Sequence, residues 1–255
     1  MINLTINGQK VQAEPGSTLL QAAASIGVKI PTLCHHEALE PAGICRLCTV
    51  ELFDGRRKRF VTSCNHPVRE GVEVWTHSEA VLKHRKMLVE LILSRCPENA
   101  FVRDLAAQYG LERPRFQCDQ DNCLLCGLCC RVCELMGPRA ITFAGRGTEI
   151  EVTTPFHCVS DDCLACGACA AVCPTGNIVM EDAGDEIVMK IGGKETRRAP
   201  KQKCAECGRL FAPSVFLADV GRRLPGAVQP AEDAPKICPD CARQVFARKM
   251  AMGQD

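Results

Sequence analysis

The chain of 255 residues is nearly neutral, with 31 Lys and Arg against 30 Asp and Glu, so its charge gives no reason to expect nucleic acid or an anionic membrane surface as a partner. Its longest apolar run, near residues 87–93, is too short to span a bilayer, and no charged-then-apolar leader precedes the first strand pattern. We therefore expect a soluble, cytoplasmic chain. Export alongside a signal-bearing partner is the alternative. The composition stands out for its 20 cysteines, most of them in Cys-x-x-Cys pairs and triplets that suit metal ligation better than a disulfide framework.

Residues 1–77 predict a small α+β domain. Alternating apolar residues over 2–13 predict a strand hairpin with its turn at Asn7-Gly8. Ser17 or Thr18 is expected to cap a helix that runs through Ile26. Further strands are predicted over Thr49–Phe53 and residues 72–75. This order of elements is typical of a ubiquitin-like or plant-ferredoxin-like β-grasp roll.

The same domain carries four cysteines separated by 10, 2 and 15 residues: Cys34, Cys45, Cys48 and Cys64. One cysteine stands apart, a Cys-x-x-Cys pair lies on a loop that enters a strand, and the fourth comes from a distant loop. This arrangement favours a [2Fe-2S] site, although the spacing is not the tight plant-type one. Gly43 is expected to let the loop close over the cluster. A zinc ribbon is the competing interpretation, and the strand–turn–helix pattern ahead of Cys34 argues against it.

Residues 78–117 predict a helical connector. Apolar residues recur at helical spacing from Val81 to Ile92, and Pro97 interrupts the pattern. A second short helix is expected to end at Gly110.

Residues 118–182 contain an internal repeat with a period near forty. Each copy carries a Cys-x-x-Cys-x-x-Cys-x-x-x-Cys run, the bacterial ferredoxin pattern in which three close cysteines bind one [4Fe-4S] cubane and the fourth reaches the other. The predicted ligands of the first cubane are Cys123, Cys126, Cys129 and Cys173. The predicted ligands of the second are Cys163, Cys166, Cys169 and Cys133. Gly127 and Gly167 follow the second ligand of each run, where the backbone must curl tightly. Two zinc sites are the alternative, but zinc sites rarely use tandem triplets with this spacing.

Residues 181–200 are charged and Gly-rich, and we expect them to form a linker. Residues 201–255 then carry two isolated Cys-x-x-Cys pairs: Cys204 with Cys207, and Cys238 with Cys241. Such pairs resemble the knuckles of a zinc ribbon, and two of them can close one tetrahedral four-cysteine zinc site. A third [4Fe-4S] cluster in this tail is the alternative. Three more cysteines are expected to be buried structural thiols: Cys118, Cys130 and Cys158.

The motifs of the first 180 residues resemble the N-terminal iron–sulfur region of a known family. The residues that carry the resemblance are Pro31-Thr32-Leu33-Cys34, Gly43-Ile44-Cys45-Arg46-Leu47-Cys48, the run from Cys126 to Glu134, Gly145-Arg146-Gly147 and Cys173-Pro174. The family includes the large peripheral subunit of complex I, the iron-only hydrogenases, the diaphorase subunit of NAD-linked hydrogenases and some NAD-linked formate dehydrogenases.

One departure from that family concerns a further cluster between the two domains, which its members hold with one histidine and three cysteines. The matching stretch here keeps His84 and Cys96, and the cysteine-rich loop is missing. We therefore expect three clusters rather than four, with His84 and Cys96 as packing or surface residues.

No catalytic constellation is visible, because the chain shows no Gly-rich dinucleotide fingerprint, P-loop or Ser-His-Asp arrangement. We therefore expect a non-catalytic electron-transfer subunit of a multi-subunit NAD(P)-linked oxidoreductase. The resemblance implies a flavin- and NAD(P)-binding subunit as one partner and a catalytic subunit as the other, in a hydrogenase, a formate dehydrogenase or an electron-bifurcating complex. The alternatives are a free-standing polyferredoxin shuttle, whose mark is a strongly acidic surface, and an iron–sulfur redox sensor, whose mark is a basic patch.

Overall fold

The computed structural model describes residues 1–116, 118, 122–223 and 236–251, apart from the side chain of Lys249. Over these ranges the chain forms a five-stranded sheet, a four-stranded sheet and a two-stranded hairpin, joined by helices. No helix within the described ranges is long and apolar enough to cross a bilayer.

The first domain is a β-grasp roll. Its strands are β1 (Ile2–Ile6), β2 (Gln9–Ala13), β3 (Thr49–Phe53), β4 (Lys58–Thr62) and β5 (Glu73–Trp75). They are ordered β2-β1-β5-β3-β4, with β1 parallel to β5 and the other neighbours antiparallel. The predicted hairpin is confirmed, because Asn7 and Gly8 both adopt the positive φ that its two-residue turn requires. The pattern missed β4, an edge strand whose Lys58 and Phe60 are exposed, so that apolar alternation is weak.

Helix α1 (Leu19–Ser25) begins at the predicted cap. The hydroxyl of Thr18 accepts a hydrogen bond from the backbone N–H of Gln21 at 3.2 Å, and the Gln21 side chain accepts one from the Thr18 N–H at 2.8 Å. This reciprocal capping box satisfies two backbone donors at the helix start. The helix ends with Ile26 as its C-cap and packs on the core of the sheet.

Helices α2 (Glu79–Arg95) and α3 (Ala100–Ala107) form the predicted connector. They share an apolar core with the cysteine-bearing loops of the first domain: Leu33, Leu47, Val89, Leu93, Cys96, Val102, Leu105 and Ala106. Cys96 is buried in this core, and His84 stacks on Phe60 with ring centroids 5.4 Å apart. Both therefore serve as packing residues, as expected.

The repeat places one short helix after each cysteine triplet. Helix α4 (Leu128–Met136) starts at Gly127 and helix α5 (Ala168–Ala171) starts at Gly167, with φ angles of +72° and +76° at the two glycines. These left-handed conformations confirm the predicted tight curl at both positions. A hairpin of β6 (Thr142–Ala144) and β7 (Glu151–Thr153) lies between the two copies.

The linker expected over residues 181–200 is wrong, because this stretch lies in a regular antiparallel sheet. Its strands are β8 (Ile178–Asp182), β9 (Glu186–Ile191), β10 (Lys194–Lys203) and β11 (Leu210–Pro213), in the order β11-β10-β9-β8. Ile187, Met189 and Ile191 alternate along β9 and are buried in the same core as the cubane cysteines. The glycines of the supposed linker are a hairpin turn, since Gly192 and Gly193 both have positive φ.

The tail is therefore continuous with the cubane domain. Helix α6 (Ser214–Arg223) packs on β10 and β11, and helix α7 (Pro239–Ala251) follows the second cysteine pair. The Pro- and Ala-rich stretch between the two pairs falls mostly on residues 224–235, which lie outside the described residues. Arg223 hydrogen-bonds the carbonyl of Met136 at the end of α4, which ties the tail to the helix of the first cubane motif.

Candidate metal centres

The four cysteines of the β-grasp domain come together in two contacting pairs. The thiol of Cys34 contacts that of Cys45, and the thiol of Cys48 contacts that of Cys64. These contacts lower the pKa of Cys45 to about 5 and the pKa of Cys48 to about 6. A pair of thiols on each side is the arrangement that suits two iron atoms bridged by sulfide, each bound by two cysteines.

The loop that holds the Cys-x-x-Cys pair is tightly packed at its start. Gly43 has a φ of +64°, and a Cβ at this position would come within 2.8 Å of the Asn65 side-chain nitrogen. The backbone N–H of Cys45 donates to the sulfur of Cys34 at 3.4 Å. Gly43 therefore adopts the left-handed conformation of a tight loop, and a larger residue would crowd the Asn65 side chain.

The predicted ligands of the first cubane line one small cavity. Its walls include all four thiol-bearing residues together with Pro174 and Ile178: Cys123, Cys126, Cys129 and Cys173. Cys173 comes from the second copy of the repeat, so the cavity requires both copies. A Cβ on Gly127 would lie 3.1 Å from Ile44 and 3.4 Å from Phe143, so the close approach of the loop depends on the glycine. The cavity and its four donors fit a cubane held by crossed ligation.

The predicted ligands of the second cubane are also neighbours. Burial raises the pKa of the Cys169 thiol to about 12, and the charges of four nearby thiols add to this effect: Cys163, Cys166 and Cys133 of the same predicted set, and Cys129 of the first. Burial raises the pKa of Cys133 as well, with Cys166 among the groups close enough to interact. A buried group of four thiols is costly to ionise unless a cation compensates their charge, which an iron–sulfur cluster would do.

The [2Fe-2S] site and the first cubane site lie against each other. Cys34, Leu39, Cys126 and Leu128 form one buried apolar cluster, with Cys45 packed on its edge. The contact is reinforced by Arg131 of α4, which donates from Nη1 to the main-chain carbonyl of Cys34 at 2.9 Å. Segments that carry predicted ligands of two different sites thus pack together in one buried apolar cluster.

The two cysteine pairs of the tail converge on one point. The sulfurs of Cys204, Cys207, Cys238 and Cys241 all lie within 4.8 Å of one another, and the Cys207 and Cys238 sulfurs are 3.9 Å apart. No other group of three or more candidate ligand atoms within the described residues is this compact. The first pair follows β10 at a hairpin turn, as a zinc ribbon requires, whereas the second pair lies at the start of helix α7.

These sulfur–sulfur distances discriminate between the candidate metals of the tail. A single tetrahedral ion with bonds of about 2.3 Å holds its sulfurs about 3.8 Å apart. A cubane binds each thiolate to a different iron and spreads the sulfurs to roughly 6 Å. The observed limit of 4.8 Å fits one metal ion and is too small for a cubane.

A polar side chain that the sequence motifs did not single out contacts the tail site. Arg209 donates from Nη2 to the sulfur of Cys238 at 3.4 Å and forms an ion pair with Asp240. A guanidinium at this position stabilises thiolate charge and orients the ligand. Nothing in the cysteine spacing pointed to Arg209, since it lies on neither pair.

The leftover cysteines differ from their prediction. Cys118 and Cys158 are exposed rather than buried, and Cys130 is half-buried beside Cys129. The segment around Cys158 bends outward, because Phe156 and His157 both have positive φ and the Phe156 side chain is 93% exposed. The symmetry of Cys118 and Cys158 in the repeat therefore does not place them in the core.

Comparison with known proteins identifies iron–sulfur domains in two parts of the chain. A family model described as a 2Fe-2S iron-sulfur cluster binding domain matches residues 1–79, and one described as a 4Fe-4S binding domain matches residues 159–179. The alpha subunit of an NADPH-Fe(3+) oxidoreductase from Geobacter sulfurreducens is 34% identical over 180 residues, which cover 60% of this chain and 21% of that protein. The 75 kDa subunit of NADH-ubiquinone oxidoreductase from Reclinomonas americana is 30% identical over 180 residues, covering 60% of this chain and 26% of that subunit.

A solved structure gives the same result. A chain of the NAD+-reducing [NiFe]-hydrogenase in its H2-reduced state is 28% identical, with a TM-score of 0.54, and the match covers 60% of this chain and 74% of that one. The present chain spans only about a fifth to a quarter of the length of the curated relatives named above. A mixed α/β fold with a 2Fe-2S and a 4Fe-4S domain is thereby confirmed. Over about 60% of its length the chain is therefore similar to iron–sulfur subunits of NADH- and NADPH-linked oxidoreductases and of an NAD+-reducing hydrogenase.

Proposed function

We propose that this chain relays single electrons through three iron–sulfur clusters within a multi-subunit NAD(P)-linked oxidoreductase. The proposed ligands of the [2Fe-2S] cluster are Cys34, Cys45, Cys48 and Cys64. Those of the first cubane are Cys123, Cys126, Cys129 and Cys173, and those of the second are Cys133, Cys163, Cys166 and Cys169. The observation that carries the proposal is the buried apolar cluster shared by the first two sites, which supports a continuous path rather than separate stores of electrons.

The order of the path follows from the contacts. Cys34 and Cys126 lie in one apolar cluster, which joins the [2Fe-2S] site to the first cubane site. Cys129 and Cys133 are four residues apart on α4 and serve different cubanes, so this helix joins the first cubane site to the second. We infer the order [2Fe-2S], first cubane, second cubane.

The clusters supply one-electron chemistry, and the chain supplies the surroundings that tune and separate them. Leu39 and Leu128 exclude water between the first two sites. Arg131 holds the two domains at a fixed separation through its hydrogen bond to Cys34. The path does not include the histidine-ligated cluster that the family resemblance implies in other members, since His84 and Cys96 pack against apolar neighbours here.

The partners are proposed from the relatives. Those relatives are an NADPH-linked oxidoreductase, an NADH-linked oxidoreductase and an NAD+-reducing hydrogenase. We infer a flavin- and NAD(P)-binding subunit at one end of the path and a catalytic subunit, such as a hydrogenase or formate dehydrogenase, at the other, in a cytoplasmic complex. An electron-bifurcating complex is the variant in which the flavin splits electron pairs.

For the tail we propose a single zinc ion held by Cys204, Cys207, Cys238 and Cys241. The proposal is supported by the sulfur separations, which suit one tetrahedral ion. Zinc has no redox change in proteins, so the role of the ion is structural. It would fasten the start of α7 to the β10–β11 turn and thereby hold the sheet that covers the cubane core.

Metal analysis of the anaerobically purified chain tests the cofactor assignment. We expect about ten iron atoms and one zinc per chain. About fourteen iron atoms without zinc would place a cubane in the tail and overturn its zinc assignment, and about eleven would place a single iron there. Zinc in all sites would overturn the electron-relay function.

The partner assignment is tested by affinity purification of the chain from its native host. We expect a flavoprotein that oxidises or reduces NAD(P) to co-purify in stoichiometric amount. A monomer without a flavoprotein that exchanges electrons with many acceptors would instead identify a free-standing polyferredoxin.

A further inference from the structure

Arg85 on helix α2 is a fully buried cation with unusual partners. Its side chain is the largest among the described residues that are almost completely inaccessible, at 1% exposure. It donates from Nε to the carbonyl of Leu47 at 3.1 Å and from Nη2 to the carbonyl of Thr49 at 2.9 Å. The Tyr109 side chain lies near the guanidinium. Leu47 and Thr49 are the residues on either side of the proposed cluster ligand Cys48.

Both hydrogen-bond acceptors of Arg85 are uncharged main-chain carbonyls. Within the described ranges no carboxylate forms an ion pair with Arg85. Glu90, also buried on α2, does have a partner of opposite charge, since its carboxylate accepts two side-chain hydrogen bonds of 2.6 Å from Arg115. Burying a charge without an opposite charge is costly, so the position of Arg85 calls for a compensating anion.

The group that can supply this negative charge is the proposed [2Fe-2S] centre. The Cys48 sulfur is close enough to Arg85 to interact with its charge. Four thiolates around two iron atoms and two sulfides carry a net negative charge, which increases when the centre takes up an electron. A fixed cation beside it stabilises the reduced state more than the oxidised state.

We propose that Arg85 is the buried counter-ion of the [2Fe-2S] centre and that its charge raises the reduction potential of that centre. The inference rests on the proposed ligation by Cys34, Cys45, Cys48 and Cys64. The hydrogen bonds of Arg85 go to main-chain carbonyls rather than to the thiols, so it acts as a positioning and electrostatic residue. Its hydrogen bonds to the carbonyls before and after Cys48 fix the position of the guanidinium charge relative to that ligand. A mobile surface cation has no such fixed position.

The test compares three variants of the full-length holoprotein. Arg85→Gln keeps hydrogen-bonding capacity and removes the charge, Arg85→Lys keeps the charge, and Lys83→Gln removes an exposed charge from the same helix. The midpoint potential of the [2Fe-2S] signal is measured by redox titration with electron paramagnetic resonance detection. We expect Arg85→Gln to make reduction about tenfold less favourable or more, equal to about 59 mV for a one-electron couple. Arg85→Lys should keep most of the wild-type potential, and Lys83→Gln should leave it unchanged.

Each outcome decides between the possibilities. An unshifted potential in Arg85→Gln, with the cluster present, would overturn the counter-ion role. If Arg85→Gln fails to retain the cluster, the Arg85→Lys variant decides. Its charge alone should preserve both the cluster and its potential. Loss of the cluster in Arg85→Lys would show that the hydrogen bonds of Arg85, rather than its charge, matter. Absence of a [2Fe-2S] signal in the wild-type protein would overturn the proposed function and this inference together, whereas an unshifted potential overturns this inference alone.

Discussion

The guanidinium of Arg131 on helix α4 donates a hydrogen bond to the main-chain carbonyl of Cys34, 97 residues earlier, at 2.9 Å. One residue belongs to the first cubane motif and the other to the β-grasp domain. The bond lies beside the apolar cluster that contains Cys34 and Cys126. A single side chain thereby connects the surroundings of two proposed redox centres.

Replacing Arg131 with Gln is expected to loosen this contact. Loss of a charged donor to a buried carbonyl costs about 1–3 kcal/mol, and the two sites should then exchange electrons more slowly. Thermal unfolding followed by the visible cluster absorption, and the rate of electron exchange between the centres after rapid reduction, are the measurements. Arg139→Gln is the matched control, since Arg139 pairs with Glu134 at an exposed position of the same motif. An unchanged unfolding temperature in Arg131→Gln would show that the hydrogen bond does not hold the domains together.

Crossed ligation of the cubanes predicts that variants of cysteines from different runs have similar spectra when those cysteines are assigned to the same cubane. Cys133 lies in the first run but is assigned to the second cubane, so Cys133→Ala should resemble Cys166→Ala. Cys173→Ala should likewise resemble Cys126→Ala. Each change should remove about four iron atoms, as measured by iron analysis and by the paramagnetic resonance spectrum of the reduced protein.

The control for this series is Cys130→Ala, which changes a half-buried cysteine beside Cys129 without removing a proposed ligand. Its iron content should equal that of the wild type. A Cys133→Ala spectrum that matched Cys126→Ala would instead indicate that each run closes its own cubane.

The contact of Arg209 with Cys238 predicts that Arg209 strengthens metal binding in the tail. Arg209→Gln removes the donor to the Cys238 sulfur, 3.4 Å away, and should weaken metal binding about 10- to 100-fold. Competition with a chromogenic zinc chelator measures the affinity. Arg243→Gln removes a donor to Asp240 that touches no sulfur, and should have little effect. Equal affinities in both variants would assign Arg209 a role in the ion pair alone.

The buried Glu90 predicts a pH dependence of stability. Hydrogen bonds from Arg115 lower the pKa of Glu90 to about 2 in the folded protein, below the unfolded value of about 4.3. The stabilisation of the folded state by the ionised Glu90 carboxylate is therefore complete above pH 5, and it is lost as the pH falls from there towards 2. The difference in unfolding temperature between wild type and Glu90→Gln should be largest at neutral pH and shrink through this window.

Glu98→Gln is the matched control for that series. Glu98 is exposed and lies 3.6 Å from Arg103, so its removal should change the unfolding temperature little at any pH. A difference between wild type and Glu90→Gln that stayed constant from pH 7 to pH 3 would contradict the role of the Glu90 charge.

Much of the architecture was predictable because local chemistry specifies it. The Asn7-Gly8 turn, the cap at Thr18 and the left-handed Gly127 and Gly167 each reflect a requirement of a few neighbouring residues. The wrong linker shows the limit of local reasoning. Residues 181–200 looked polar and flexible, but the alternate residues of β9 are buried by the cubane core, which only the tertiary structure supplies.

The sequence by itself determined which cysteines form groups, because ligand spacing is a local property of the chain. The tertiary structure decided how the groups relate to one another. It placed Cys34 against Cys126, brought the distant pairs of the tail within the reach of one ion, and left Arg85 buried beside Cys48 without a carboxylate among the described residues. Distances and burial of this kind arise from packing between remote segments, so no motif in the chain could reveal them.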